Sequence, residues 1–316
     1  MKWDYFLFRG IFCRGNRNGR VLLLCAVLLA TAGVGAFSQE KSEGGGPPRP
    51  VPAKPFHIIG KIYYVGQTEP KEPGNTDDAS YLLTTSQGLI LLDTGEEGTV
   101  SRIRENVKKL GFRVEDIKWM IHSHAHSDHV AGDALMKELA AGAKLALMDG
   151  DSPVVASGGR MDFDAKRARF KEVKVDRILH DGDKIQLGDT TLVAHLTPGH
   201  TKGCTTWTMV VEDGGKKYNV VFLCSSRFTP GVPLVGNALY PGIADDFLKT
   251  YKTLRSLPCD VFLASHGNFF GLVQKAKLLE QGASPNPFID PQGYKAYIDD
   301  SERDFQKEFR KQGGTL

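Results

Sequence analysis

Residues 122–132 read His-Ser-His-Ala-His-Ser-Asp-His-Val-Ala-Gly, and His124, His126, Asp128 and His129 within them form the pattern His-x-His-x-Asp-His. Imidazole and carboxylate groups are the side chains that bind zinc and related divalent metals. One short loop can serve two metal ions when its ligands point to alternate sides. A loop with four ligand-type side chains therefore predicts a site for two metal ions.

The sequence on either side of this motif predicts where the motif sits. Residues 118–121 form a short apolar run typical of a strand, and residues 130–139 have apolar side chains at helical spacing. The motif thus lies in a loop between a strand and a helix. His124 and His126 are two residues apart and can share one face of an extended chain. The adjacent Asp-His pair falls at the helix start, where a carboxylate is favoured, and can turn toward a second ion.

Two more histidines follow other predicted strands. His200 lies in a turn rich in proline and glycine after the strand-like residues 191–196, and His266 ends an apolar run at residues 260–265. An isolated histidine at a strand end is usually structural. Because two zinc ions need more donors than the loop offers, we interpret both as further ligands. His122 falls outside the pattern and is interpreted as a supporting or structural group.

With these residues in place, the chain resembles the metallo-β-lactamase superfamily, and most closely the subclass B3 metallo-β-lactamases, from about residue 55 to 309. Besides the histidine motif, the resemblance rests on residues 58–65, 89–95, 197–201 and 286–291. It implies an α/β fold, an αβ/βα sandwich of two mixed β-sheets with helices on the outer faces. By position it also implies two Zn²⁺ ions, one on His124, His126 and His200, and the other on Asp128, His129 and His266.

The resemblance implies a hydrolase that opens the amide bond of β-lactam antibiotics by attack of a zinc-bound hydroxide, without a covalent acyl-enzyme. Asp128 would be both a ligand and the catalytic group that orients the hydroxide. An alternative is a dizinc hydrolase of the same fold acting on a lactone or a thioester. A third is a zinc-binding protein without turnover. The lactone and thioester branches usually carry a bridging aspartate after the strand that follows His200, and residues 221–227 contain no carboxylate.

The same stretch supplies the predicted substrate-binding residues. Subclass B3 has serine where another subclass uses a cysteine ligand, and our alignment places Ser225 at that position. Because successive strand side chains face opposite sides, only one of Cys224 and Ser225 faces the metals. We favour Ser225, with zinc contact by Cys224 as the alternative. Ser226 and Arg227 are close enough to help bind a substrate carboxylate.

The N-terminal region has the sequence features of an export signal. Residues 1–38 combine five basic residues, an apolar run at residues 21–32 and small residues up to Ser38. This predicts a signal peptide cleaved after Ala36 or Ser38, since the run is short for a membrane anchor. A Gly- and Pro-rich linker is predicted at residues 39–54 and one metallo-β-lactamase domain at residues 55–316. We expect a periplasmic or secreted protein that carries out antibiotic resistance chemistry.

Charge and cysteine content narrow the classes further. The leader holds five basic residues and one acidic residue, so the remaining 35 basic and 36 acidic residues give a net charge of −1. We therefore expect a small-molecule substrate, no nucleic-acid partner, no membrane contact after cleavage, and a monomer. The mature chain has three cysteines, and Tyr294 stands where some relatives have a partner for Cys259. We expect three free, mostly buried thiols.

The coarse pattern agrees with two sheets covered by helices. Strands are predicted at residues 58–65, 81–85, 89–93, 143–148, 184–187, 204–211 and 218–224, and helices at residues 100–110, 130–140, 245–256 and 293–311. Residues 67–78, rich in Pro, Glu and Gly, are expected to form a mobile loop near the metal-binding edge. Phe269 and Phe270 either line a substrate wall there or pack the loop.

Overall fold

The computed structural model describes residues 54–66, 78–164 and 166–315 of the 316-residue chain. The predicted signal peptide, nearly all of the predicted linker and residues 67–77 of the predicted mobile loop lie outside the described residues. Within the described part, no helix is both long enough and apolar enough to span a bilayer.

Twelve strands form two sheets. The first sheet has the order β1 to β7, with strands Phe56–Ile59, Ile62–Tyr64, Tyr81–Thr85, Gly88–Leu92, Ile117–Ile121, Lys144–Met148 and Arg177–Leu179. The second has the order β12-β11-β10-β9-β8, where β8 to β12 are Lys184–Leu187, Thr190–Leu196, Thr205–Asp213, Lys216–Leu223 and Val261–Ala264. Both sheets are mixed, because β4 to β7 and the β11–β12 pair are parallel and the other pairs antiparallel.

Eight α-helices complete the described part of the fold. From α1 to α8 they are Val100–Lys109, Ser127–Val130, Asp133–Leu139, Ser152–Ala156, Ile243–Ser256, Gly267–Phe270, Leu272–Glu280 and Pro291–Lys311. Two short 3-10 turns, Glu97–Thr99 and Val114–Asp116, flank α1.

The period-2 alternation of side chains divides the core in two. In β3, Tyr81 and Leu83 belong to the cluster shared with the second sheet, α5 and α8, whereas Leu82 packs with Ile103 and Val107 of α1. Each central strand therefore buries one face against the other sheet and the other face against helices. The predicted sandwich of two mixed sheets with helices is confirmed.

Two predicted elements are divided in the structure. Residues 58–65 form a hairpin rather than one strand, because the chain turns at Gly60, where φ is +53°. The helix predicted at residues 130–140 is two helices, α2 and α3, that begin at Ser127. Gly132 lies between them, and a Cβ there would come within 2.7 Å of the Thr94 carbonyl oxygen. The close approach of the helix start to the end of β4 requires this glycine.

The expectation of three free thiols is wrong. Cys204 and Cys224 form a disulfide with a Cα–Cα distance of 6.0 Å, and only Cys259 among the described residues is free. Cys204 directly precedes β10 and Cys224 directly follows β11. Because these strands pair antiparallel, the two cysteines meet at one end of the hairpin. The bond also rules out the alternative that Cys224 ligates a metal.

Candidate metal centre

Loops at the ends of β5, β9 and β12 bring the predicted ligands to one edge of the two sheets. In the second sheet β9 and β12 run in the same direction, because β10 is antiparallel to both of its neighbours and β11 is parallel to β12. The loops that follow them therefore leave the sheet at the same edge. The rings of His124, His126 and His200 have centroids 4.6 to 4.7 Å apart, and that of His129 lies 4.8 Å from that of His266.

The first ligand group consists of His124, His126 and His200, whose nearest side-chain nitrogens lie within 4.8 Å of one another. His200 Nδ1 donates to the Arg227 carbonyl at 2.7 Å, which leaves its Nε2 as the lone-pair nitrogen. His124 Nδ1 lies 3.1 Å from Ser123 Oγ, and its buried Nε2 has no hydrogen-bond partner among the described residues. A ring whose one nitrogen is held by a hydrogen bond and whose other nitrogen has a free lone pair is suited to bind a divalent metal.

Electrostatics favour the ligand form of this group. Burial, followed by the charges of the neighbouring histidines, holds the pKa of His124 and of His126 well below its usual range. Burial also lowers the pKa of His200 to about 3, against the opposing effect of its bond to the Arg227 carbonyl. All three rings are therefore neutral at pH 7, which is the form that binds metals.

The second group joins Asp128, His129 and His266 with an aspartate that the sequence analysis missed, Asp78. The Nε2 atoms of His129 and His266 face each other at 3.2 Å, and Asp128 Oδ2 lies 3.5 Å from the former and 3.9 Å from the latter. Asp78 Oδ1 lies 3.3 Å from His266 Nδ1, on the far side of that ring. The three predicted ligands thus converge, while Asp78 orients one of them.

Asp93 plays the same part for His129 and was also missed. Its Oδ2 lies 2.9 Å from His129 Nδ1, and its carboxylate accepts from the Ser123 amide at 2.7 Å and the Ser123 hydroxyl at 2.6 Å. Although burial opposes it, His129 and His122 lower the pKa of Asp93. Despite burial, Asp128 and Asp93 raise the pKa of His129 to about 9. The sequence signal of Asp93 was its position directly after the apolar strand β4.

His122 lies beneath the ligands, as expected for a supporting group. Its Nδ1 is 3.3 Å from Asp93 Oδ1 and its Nε2 is 2.9 Å from Asp133 Oδ1. Its carbonyl accepts from the Trp207 ring nitrogen at 2.9 Å, which ties the motif to the second sheet. The ring thus bridges two carboxylates rather than facing the ligand cluster.

Asp151 joins the two loops of the first group and was missed as well. One of its oxygens accepts from the Ala125 amide at 2.9 Å and from the Thr201 hydroxyl at 2.8 Å, and the other from the Gly203 amide at 2.8 Å. Burial raises the pKa of Asp151 to about 6. Asp151 is the third residue after β6 and directly precedes α4, a position that carried no recognisable motif.

The predicted substrate-binding residues follow β11 and run past His200. Ser225 is buried, with its hydroxyl accepting from the Arg227 amide at 3.3 Å, and Ser226 is buried beside Tyr297. The Arg227 guanidinium lies over the Tyr297 ring at 5.3 Å and 3.4 Å from Asp304 of α8. The structure therefore brings this stretch to the centre through the Arg227 carbonyl, while the Arg227 side chain is engaged with α8.

An aromatic wall borders the second group. The Phe269 ring lies 5.0 Å from the His266 ring and 4.9 Å from that of Tyr297. Phe270 instead packs into the core against Phe262 and Phe288. Of the two candidate wall residues, only Phe269 touches the centre.

A group of three histidines beside a group of histidines and aspartates, at one edge of a two-sheet fold, is the arrangement of a metal-dependent enzyme. Residues 76–266 match the family model described as the metallo-beta-lactamase superfamily, and the chain belongs to this superfamily. Its structural neighbours are subclass B3 metallo-β-lactamases.

Two of these neighbours show how far the likeness extends. The native FEZ-1 metallo-β-lactamase from Legionella gormanii is 46% identical, with 85% of this chain covering 100% of that chain at a TM-score of 0.78. BJP-1, a subclass B3 metallo-β-lactamase of Bradyrhizobium japonicum, is 40% identical, with 83% of this chain covering 96% of that chain at a TM-score of 0.74.

Curated relatives are more distant. Persulfide dioxygenase ETHE1 of Bos taurus is 29% identical over 132 residues, which is 41% of this chain and 42% of that protein. The N-acyl homoserine lactonase of Bacillus cereus is 26% identical over 162 residues, 43% of this chain and 59% of that protein. The chain spans about half the length of these relatives.

Proposed function

We propose that this protein is a zinc-dependent hydrolase that opens the amide bond of β-lactam antibiotics. The observation that carries the proposal is the 46% identity to FEZ-1 over the whole length of that metallo-β-lactamase. The lactonase and dioxygenase relatives match at lower identity and over about half their length. The ligand geometry of the centre is consistent with either chemistry, so the proposal is supported by the likeness to FEZ-1.

The proposed cofactor is a pair of zinc ions. His124, His126 and His200 would hold one ion and Asp128, His129 and His266 the other, because these sets converge and mix imidazole with carboxylate. We assign Asp78 to His266 rather than to a metal, since its carboxylate already lies within 3.3 Å of His266 Nδ1. This is the usual carboxylate–histidine support of a metal ligand.

When bound, zinc would polarise the substrate carbonyl and acidify water so that it attacks at neutral pH. Asp128 is suited to handle the proton. Although burial opposes it, His129 and His266 lower its pKa, so the carboxylate is ionised at pH 7. It would orient the attacking water and pass its proton toward the ring nitrogen as the amide C–N bond breaks. The protein forms no acyl bond in this scheme.

The substrate would lie between the loop after β11 and the Phe269 wall. The Ser225 hydroxyl is the proposed polar contact for its carboxylate, with Ser226 and the Arg227 backbone beside it, because the Arg227 guanidinium is engaged with α8. Phe269 offers an aromatic surface beside His266. A substrate held there would place its reactive carbonyl next to Asp128.

Hydrolysis of a lactone is the second candidate function, favoured by the 26% identity to the Bacillus cereus N-acyl homoserine lactonase. Purified mature protein should be assayed with nitrocefin and with an N-acyl homoserine lactone, each with and without a chelator. We expect nitrocefin turnover that chelation abolishes and that zinc restores. Turnover of the lactone alone would reject the β-lactamase proposal and support the alternative.

A variant of Asp128 tests the assignment within the centre. Asp128→Asn keeps the shape of the side chain and removes its charge, so we expect a loss of about 10²-fold or more in kcat, the usual scale of acid–base catalysis. Glu115, an exposed acid in a 3-10 turn, provides the matched control as Glu115→Gln, which should keep wild-type turnover. Equal effects of the two substitutions would contradict the role of Asp128.

We also propose that the protein is exported to the periplasm or secreted. The Cys204–Cys224 disulfide supports this, because such bonds persist mainly in oxidising compartments. Fractionation of cells that express the full chain, followed by mass determination of the mature N-terminus, tests export and the cleavage after Ala36 or Ser38.

A further inference from the structure

Two loops beside the ligand groups, which we call the rim loops, carry an excess of positive charge. The first comprises residues 158–170, with four basic and two acidic side chains, and the second comprises residues 225–240, with one basic and no acidic side chain. They touch each other through the Phe163 and Tyr240 rings, whose centroids are 4.9 Å apart. This local excess contrasts with the near-neutral chain after the leader, so the rim is suited to anions.

Most arginines of the rim loops are engaged elsewhere. Arg160 pairs with Glu172, Arg169 donates to the Gly159 carbonyl, and Arg227 lies over Tyr297 beside Asp304. These contacts hold their guanidinium groups against the surface of the fold. Arg167 differs from all three in both position and contacts.

The Arg167 side chain is fixed between the two rim loops. Its Nη2 donates to Thr229 Oγ1 at 2.8 Å, and its Nε lies 3.4 Å from Asp164 Oδ2. The side chain is 27% exposed. Among the residues that the structure describes, none accepts a hydrogen bond from Nη1. Arg167 is thus a held, partly buried cation with donor capacity left over.

Arg167 is connected to the first ligand group through the second rim loop. Thr229, which it binds, follows Arg227 by two residues, and the Arg227 carbonyl is the acceptor for His200. The cation therefore lies beside the loop that holds a ring of the first group.

We propose that Arg167 is an anion-binding residue that recognises the carboxylate of the substrate and makes the enzyme selective for anionic over neutral substrates. The inference rests on the proposed β-lactamase function and deepens it. A guanidinium offers a planar pair of N–H donors that matches a carboxylate, and it stays charged at every relevant pH. β-Lactam antibiotics carry such a carboxylate beside the reactive ring, whereas an N-acyl homoserine lactone is neutral.

The test compares one cephalosporin with the methyl ester of its carboxylate. Arg167→Gln keeps a donor for Thr229 and removes the charge. Arg167→Lys keeps the charge and loses the planar pair of N–H donors. We expect Arg167→Gln to raise KM for the acid about tenfold, the scale of one charged hydrogen bond, with kcat within about twofold and the ester unaffected. Arg167→Lys should fall between wild type and Arg167→Gln. The matched control is Arg160→Gln, from the same loop, which should change neither substrate.

A second readout does not depend on turnover. Calorimetric titration with the ring-opened product of the acid should show about tenfold weaker binding to Arg167→Gln, and the difference should shrink in high salt. Metal content of the variant should equal that of wild type. If it falls, or if acid and ester change equally, Arg167 has a structural role and the inference is overturned while β-lactamase activity stands. Wild-type protein that hydrolyses neither compound rejects the proposed function itself.

Discussion

Both ligand groups contain histidines, but these histidines are supported in opposite ways. In the first group, His124 and His200 meet neutral partners, the Ser123 hydroxyl and the Arg227 carbonyl. In the second group, His129 and His266 each meet a buried carboxylate, Asp93 and Asp78. The partners of the histidines, and not only the Asp128 carboxylate, therefore distinguish the two halves of the centre.

This difference sets the charge of each half. The rings of the first group have lowered pKa values, whereas the pKa of His129 is raised to about 9. The first group is thus neutral before metal arrives, whereas His129 of the second group carries a proton whose charge the Asp128 and Asp93 carboxylates balance. A metal entering the second group would displace a proton, and its partner carboxylates would then make the ligand rings stronger donors.

The carboxylates beneath the two groups differ as well. Asp93 binds a histidine and a serine and has a lowered pKa. Asp151 accepts only from neutral amide and hydroxyl groups, and burial raises its pKa to about 6. Asp93 is stabilised as an anion by the histidines around it. Asp151 instead holds two loops together, and its burial without a cation disfavours its ionised form.

The largest effect is expected from Asp93→Ala. The substitution leaves His129 and His122 without a carboxylate that both share, and removing one partner of a buried pair costs about 3–5 kcal/mol. Denaturant unfolding of metal-free protein measures the loss. The control is Asp189→Ala, since Asp189 is half exposed and pairs with Lys61 at the surface, where a much smaller loss is expected. Similar losses in both variants would contradict the comparison.

A pH-dependent effect of up to about 3 kcal/mol is expected at Asp151. Its folded pKa, about 6, lies above the ordinary value of 3.8, so its contribution is complete below about pH 4 and is lost as pH rises through 6. Between pH 4 and 7, wild-type protein should therefore lose stability relative to Asp151→Asn, in which this group does not titrate. Unfolding free energies of both metal-free proteins across that range measure the difference. A constant difference would mean that Asp151 is not shifted.

A smaller effect is expected from Asp78→Asn, and only in the second group. Loss of a carboxylate behind a metal-binding histidine typically weakens metal affinity about 10- to 100-fold. Competition with a chromophoric chelator should resolve one weakened and one unchanged ion. Ser123→Ala, which removes the neutral partner of His124, should weaken the other ion less. Equal weakening of both ions by Asp78→Asn would show that the halves are not independent.

The fold and the convergence of the six candidate ligands were predictable because short sequence patterns encode them. Apolar runs end at Ile121, Leu196 and Ser265, so loops that follow strands were visible along the chain, and side chains of ligand type stood out in them. The supporting carboxylates were not. Asp78 lies more than a hundred residues from His266, and Asp93 more than thirty from His129, so no local spacing joins them. Their role exists only once the two sheets are assembled.

The disulfide was missed for a related reason. Cys204 and Cys224 are twenty residues apart and meet only because β10 and β11 pair in one register. Sequence comparison drew attention to Cys259 and Tyr294 instead, and an odd number of cysteines suggested free thiols. A register argument from the β10–β11 hairpin would have placed the first two cysteines at the same end.

The disulfide adds a covalent difference between the two groups, and its effect should be the smallest. It joins the chain four residues after His200 to the residue before Ser225, so its covalent link acts on the loop that carries His200. In the Cys204→Ala/Cys224→Ala double variant we expect less than about tenfold weaker binding of one metal ion and no change in the other, because the strand pairing of β10 and β11 remains.

A thiol count checks the premise of that variant. Mature wild-type protein, unfolded without reductant, should react at one thiol per chain, and at three after reduction. In the folded protein the remaining thiol should react slowly even at pH 9, since burial raises the pKa of Cys259 to about 12 and leaves almost no thiolate. Detection of three thiols before reduction would show that the Cys204–Cys224 disulfide does not form. The first group would then be held, like the second, by hydrogen bonds and packing alone.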